Sequence, residues 1–174
     1  MWNMTRSVVH VVLPGTYDPV TLGHLDVIRR SARLFPKVTV GVAASRSKRG
    51  VGTAFSQEER VLMIEESLAE LGIGDVSVRA FDGLLVDFCR EVGAGGVVKG
   101  LRAMTDFEFE LQQADLNAHL APDIESVFVM ASPEFGYVSS SIVRELASLG
   151  SDVDTLVPQC VARRLANHYG APER

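Results

Sequence analysis

The chain has 174 residues, enough for one domain with a sizeable core. Hydrophobic residues make up 47% and charged residues 22%, a balance that argues against disorder. A net charge of −5 gives no overall basic field for nucleic acid, and no apolar run approaches the roughly 18 residues that cross a bilayer.

The N-terminal segment has one arginine and only a short apolar stretch, unlike a signal peptide, so a cytoplasmic protein is expected. The first strand candidate is "VVHVVL" (8–13), followed by "PGTYDPVTLGH" (14–24). Leu25, Ile28, Ala32 and Phe35 then form a helical stripe. "KVTVGVAA" (37–44) predicts a second strand, and "SRSKRG" follows it. Ser56 and Glu59 make a capping box ahead of a stripe at Val61, Ile64, Leu68 and Leu71. "VSVRAF" (76–81) is the third strand, with Leu85, Phe88 and Val92 on the next helix. "GGVV" (95–98) is the fourth, with "KGLR" after it, and "TDFE" (105–108) caps a long helix. That helix has two apolar stripes, Phe107, Leu111, Ala114 and Ala118, then Phe109, Leu116 and Leu120. Two stripes predict burial on two sides, one against the sheet and one against a ligand or another subunit. "SVFVMA" (126–131) is the fifth strand. "SSS" (139–141) opens a short helix that Gly150 closes, and Pro158 suits the first turn of the last one.

Strand–helix alternation with nearly continuous apolar strands predicts an α/β fold: one Rossmann-like domain over 1–174, with a doubly wound parallel five-stranded sheet and helices on both faces. Such sheets bind ligands beyond the carboxyl ends of their strands. Arg46, Lys48, Arg49, Lys99 and Arg102 all fall at those ends, five of the 17 Lys and Arg residues. A focused positive site on an acidic body suits a small polyanion such as a nucleotide or phosphate ester. In "GTYDPVTLGH", Gly15 lets backbone approach a ligand, Thr16 gives a hydroxyl, Asp18-Pro19 sets a turn and Gly23 removes a side chain. His24 falls in the first helical turn, where unpaired N–H groups favour phosphate. Neither G-x-x-x-x-G-K-[ST] nor G-x-G-x-x-G is present. Cys89 and Cys160 have no partner at metal-ligand spacing and are expected to be reduced, half-buried thiols. "SDVD" (151–154) reads as a loop before the last helix rather than a metal pair.

"TLGH" (21–24) resembles the [HT]-x-G-H mark of the nucleotidyltransferase superfamily. With "GTYDPVTLGH", "ASRSK", "GLLVDF", "KGLRAMTDFEFELQQADLNAHLAP" and "VSSSIVRELASLGSDV", nearly the whole chain resembles the phosphopantetheine adenylyltransferase family. The resemblance implies transfer of AMP from ATP to 4′-phosphopantetheine, giving dephospho-coenzyme A and pyrophosphate. It implies Mg²⁺ accompanying ATP rather than a protein-held metal, a homohexamer, and coenzyme A as a feedback inhibitor. It places Thr16, His24, Lys48 and Arg102 in catalysis. Thr16 would position the attacking phosphate and His24 would hold the ATP phosphates. Lys48, Lys99, Leu84 and Leu85 would bind phosphopantetheine. Gly15, Tyr17, Gly100, Arg102, Glu110, Val138, Ser139 and Ser140 would join Thr16 and His24 at ATP. Lys99 stands where many members have Arg, Phe109 where Tyr is common, and the loop after the second strand is longer than usual. Two other readings stay open: a related transferase with a different acceptor, and a nucleotide-binding regulatory module without catalysis.

Overall fold

A computed structural model describes residues 7–44, 52–102 and 104–170, apart from the side chains of residues 104 and 105. The elements alternate as the sequence predicts: β1 (His10–Gly15), α1 (Leu22–Leu34), β2 (Lys37–Ala43), α2 (Gln57–Glu70), β3 (Val76–Phe81) and α3 (Leu85–Val92). Then come β4 (Gly96–Leu101), α4 (Met104–Leu120), β5 (Glu125–Met130), a single 3₁₀ turn over Pro133–Phe135, α5 (Ser140–Ser148) and α6 (Gln159–Tyr169). The strands form one parallel sheet in the order β3-β2-β1-β4-β5. The chain therefore winds outward from β1 in one direction, returns, and winds outward in the other. That places the topological switch between β1 and β4.

Side chains alternate across the strands, so β1 feeds two cores. Val11 and Leu13 join α1, α2, α5 and α6 in the larger one, through Ile28, Ile64, Val143 and Leu165 among others. Val12 joins Val97, Val86, Phe88 and Cys89 in a smaller one under α3 and the end of α4. Gly41 makes room there: a Cβ would stand 2.9 Å from Phe88 and 3.2 Å from Phe81, whose rings stack at 4.6 Å.

Several expectations need correction. β4 runs on through Leu101, so Lys99 and Gly100 stand on the strand rather than after it. β3 is an edge strand with Ser77, Arg79 and Ala80 exposed, not one covered on both faces. Both cysteines are buried rather than half-buried. Burial pushes the Cys89 thiol up to about 11 and also raises Cys160, so both stay protonated near neutrality. α4 begins at Met104, one residue before the predicted Thr105 cap, whose side chain lies outside those described. In the first stripe of α4, Phe107 packs edge-on to Phe128 at 5.8 Å, while Leu111 and Ala118 are exposed. The second stripe, Phe109, Leu116 and Leu120, is exposed throughout.

Candidate active site

The β1–β2 ladder holds six residue pairs, but the β1–β4 ladder holds only Val11–Gly96 and Val12–Val97. Beyond those pairs the two central strands part. Pro14 has no N–H to extend the ladder. Leu13, Pro14 and Gly15 on one side, and Val98, Lys99 and Gly100 on the other, line a cavity of about 380 Å³ at the carboxyl edge of the sheet. The starts of α1, α4 and α5 close around it through Thr21, Gly23 and His24, then Asp106 and Glu110, then Val138, Ser139 and Ser140.

His24 is held by the helix it begins. Thr21 is the N-cap of α1, and its side chain accepts from the His24 N–H. In return the Thr21 N–H donates to His24 Nδ1 at 3.0 Å. This is a capping box with histidine in the place usually taken by Glu or Gln. His24 therefore does cap its own loop, and the same bond leaves Nε2 as the nitrogen that carries the hydrogen. Burial, helped by the nearby Arg102 cation, pushes the imidazole pKa down to about 4. At neutral pH His24 is a neutral donor at the cavity wall.

Tyr17 explains the two glycines around it differently from the sequence reading. Its backbone is left-handed (φ 50°), which turns its ring back over Gly15. A Cβ on Gly15 would lie 2.9 Å from that ring. The ring meets His24 edge-on at 5.0 Å, and its hydroxyl donates to Leu13 O at 3.0 Å. Gly15 thus admits the tyrosine ring. Gly23 faces Phe135, where a Cβ would make ordinary contact at 3.4 Å.

The two described cations of the cavity have acidic neighbours. Lys99 Nζ lies 3.1 Å from Glu110 Oε2, out of hydrogen-bond alignment with it. The Arg102 guanidinium meets the Asp106 carboxylate at 3.2 and 3.4 Å and donates to Val138 O at 3.1 Å. The Arg102 guanidinium is thus fixed in direction by its hydrogen bonds, whereas Lys99 has only a charged neighbour.

The turn at Asp18-Pro19 is anchored from three sides. The buried Asp18 carboxylate accepts from the N–H groups of Ala54 and Phe55 at 2.9 and 3.0 Å. Ser140 Oγ donates to Pro19 O at 2.7 Å, and the Arg144 guanidinium donates to Asp18 O. Ser139 caps α5 by accepting from the Ile142 N–H. Those bonds occupy the Ser140 donor and make Ser139 a cap.

Of the residues singled out in the sequence, Gly15, Tyr17, His24, Lys99, Gly100, Arg102, Glu110, Val138, Ser139 and Ser140 line the cavity. Thr16 is exposed between Gly15 and Tyr17 and does not line it. Leu84 is exposed at the N-cap of α3, and Leu85 packs toward the smaller core, so neither is brought to the cavity. Lys48, Arg46 and Arg49 lie outside the described residues. Sequence reasoning missed Asp106, although its i+4 spacing from Arg102 is an ion-pair signal. It also missed Phe135, which lines the cavity, and Arg60 and Arg144, which no local pattern distinguishes from surface charges. Among the described residues, no three His, Cys, Asp or Glu side chains are grouped to hold a metal ion, and no helix is long and apolar enough to cross a membrane.

Residues 12–146 match the cytidylyltransferase-like family. A phosphopantetheine adenylyltransferase of Moorella thermoacetica is 48% identical over 159 residues, covering 91% of this chain and 96% of that protein. One from Thiobacillus denitrificans is 49% identical over 155 residues, covering 89% and 94%. Among solved structures, a bifunctional NMN adenylyltransferase/ADP ribose pyrophosphatase from Francisella tularensis superposes with a TM-score of 0.69 at 15% identity. The match covers 94% of this chain and 52% of that longer one. A Vibrio parahaemolyticus protein assigned as a nicotinate-nucleotide adenylyltransferase gives a TM-score of 0.64 at 14% identity, covering 92% and 94%. At those identities the two structures speak for the fold alone.

Proposed function

The chain belongs to the cytidylyltransferase-like family and, within it, to the phosphopantetheine adenylyltransferases, and from that membership we propose that it transfers AMP from ATP to 4′-phosphopantetheine. The products are dephospho-coenzyme A and pyrophosphate. A 4′-phosphate oxygen attacks the α-phosphorus of ATP, a new P–O bond forms, and the bond to the β-phosphate oxygen breaks. The nucleophile is already an anion, so no strong base and no covalent intermediate are required. Catalysis is positioning and electrostatic stabilisation.

The observation that carries the reading is the neutral, pre-aimed His24 facing Lys99 and Arg102 across a crevice at the topological switch. His24 Nε2–H donates to a phosphate oxygen as charge grows on it. The N–H groups at the start of α1 add their partial positive charge. Arg102 binds ATP phosphate and Lys99 the pantetheine phosphate. Thr16 and Lys48 complete the grip on the transferring groups from the loops after β1 and β2. Glu110 and the α5 start around Val138–Ser140 border the nucleotide. Leu84 and Leu85 meet the pantetheine arm at the far side of the sheet edge.

Magnesium belongs to the substrate in this scheme, carried with the ATP phosphates. Coenzyme A contains both halves of the product, so it is a competitor for the same cavity. The exposed stripe at Phe109, Leu116 and Leu120 supports self-association, with the homohexamer as the expected assembly, in the cytoplasm. The test is incubation with MgATP and either 4′-phosphopantetheine or nicotinamide mononucleotide, with products identified by mass. Dephospho-coenzyme A from the first alone is the expected result. Dinucleotide from the second alone would overturn the acceptor.

A further inference from the structure

Arg60 is among the most completely buried large side chains, 1% exposed, although it is charged. Such a cation needs full compensation. It faces no carboxylate at ion-pair distance among the described residues; backbone carbonyls surround it. Nε donates to Phe55 O at 3.2 Å and to Ser56 O at 3.3 Å. Nη1 donates to Thr16 O at 2.5 Å and to Ala43 O at 3.0 Å. These four carbonyls come from the loop after β1, the end of β2, and the turn that enters α2. The planar fork of arginine gives several donors in fixed directions, which one ammonium cannot reproduce.

We infer that Arg60 is a positioning residue for the transfer reaction: it orients the Thr16 peptide, and through it the Thr16 hydroxyl and the Tyr17 ring, without touching substrate. The inference rests on the function proposed above. The Thr16 carbonyl belongs to the peptide plane that joins Thr16 to Tyr17, the residue held at positive φ. Fixing that plane fixes the direction of the Thr16 side chain on one side and the start of the Tyr17 side chain on the other. Tyr17 in turn lies edge-on to His24. Asp18 adds a second clasp between the same segments, through the Ala54 and Phe55 N–H groups. The loop after β1 is thus tied to the α2 entry by donors in both directions, and Arg60 is the only one of these ties that grips Thr16 itself.

The test compares wild type, Arg60→Lys, Arg60→Met, Thr16→Ala and the double variant Arg60→Lys/Thr16→Ala, by kcat, KM and ATP binding by calorimetry. Arg60→Lys keeps charge and most of the volume and loses the fork. It is expected to lower kcat by about tenfold to a hundredfold, the cost of a misplacement of roughly an ångström. The ATP dissociation constant should move no more than it does in Thr16→Ala, because Arg60 acts through the Thr16 peptide and does not touch the nucleotide itself. The double variant should fall short of the product of the two single losses, because part of the Arg60 effect runs through the Thr16 hydroxyl. Wild-type kcat in folded Arg60→Lys and Arg60→Met, with only a lower melting temperature, would make Arg60 a purely structural residue and overturn the inference. Multiplying losses in the double variant would overturn it too, as would failure of both Arg60 variants to fold. A wild-type protein with no phosphopantetheine-dependent turnover would instead overturn the function, and this role with it.

Discussion

His24→Gln and His24→Ala separate the two jobs that one imidazole performs. Glutamine is an ordinary residue at this position of a capping box, so its side-chain oxygen can accept the Thr21 N–H. Alanine cannot. Thr21 is 1% exposed, and an abandoned buried N–H costs about 1–3 kcal/mol. His24→Ala should therefore lose about that much stability in urea unfolding at pH 7.5, and His24→Gln much less. Alanine also removes the Nε2 donor, and losing one such donor costs about 10²–10³ in kcat, whereas the glutamine amide keeps N–H donors and should lose less. The pH dependence gives a second check. The folded imidazole has a pKa of about 4 against 6.5 for the ordinary group. Between those values the unfolded chain binds more protons, so wild-type stability should fall as pH drops from 6.5 toward 4. The full difference is on the order of 3 kcal/mol, and both variants should lack that slope. Wild-type kcat in folded His24→Ala would refute the donor role and leave His24 as a helix cap. An NMR titration of the ring with a midpoint near 6.5 would refute its lowered pKa and the slope that follows from it.

Lys99→Met removes the cation from the crevice and leaves Glu110 without its 3.1 Å neighbour. KM for 4′-phosphopantetheine should rise about tenfold or more, the worth of a charge-assisted hydrogen bond, while KM for ATP changes little in steady-state assays. Glu70 accepts from the Gln159 and Cys160 N–H groups at the start of α6 at 2.8 and 3.0 Å. Burial pushes the Glu70 carboxyl up, but those N–H donors outweigh it and hold the group below its ordinary value. Its contribution is present above that ordinary value and is lost as pH falls through the lowered one. Glu70→Gln should therefore melt lower than wild type at pH 7, with the gap narrowing as pH falls below the ordinary carboxyl range, and with kcat unchanged. Gly41→Ala would set a Cβ 2.9 Å from Phe88 and 3.2 Å from Val12. Overpacking of this kind costs about 1–3 kcal/mol, measurable as a lower urea midpoint.

The fold was legible because each strand was an apolar run and each helix carried a stripe or a capping box. β3 escaped because an edge position depends on strand order, which hydropathy does not encode. The crevice was legible as far as local chemistry could carry it: His24 follows a Gly-rich turn, and Lys99 and Arg102 fall at the carboxyl end of a strand. The length of β4 was not, because "KGL" after "GGVV" looks like a loop until parallel pairing with β5 extends it. Arg60 was invisible for a different reason. In "SQEER" it reads as a solvated charge on a helix start, and the partners that offset its burial include carbonyls from two distant segments, Thr16 and Ala43. Leu84 and Leu85 show the reverse, since a resemblance between sequences gave them a role at the pantetheine arm that the lining of the cavity does not by itself suggest.

Release of pyrophosphate from MgATP, measured with and without 4′-phosphopantetheine, tests the central claim most directly. The account predicts release that requires the acceptor, saturates with it, and yields dephospho-coenzyme A in equal amount. ATP binding with no acceptor-dependent release would contradict it.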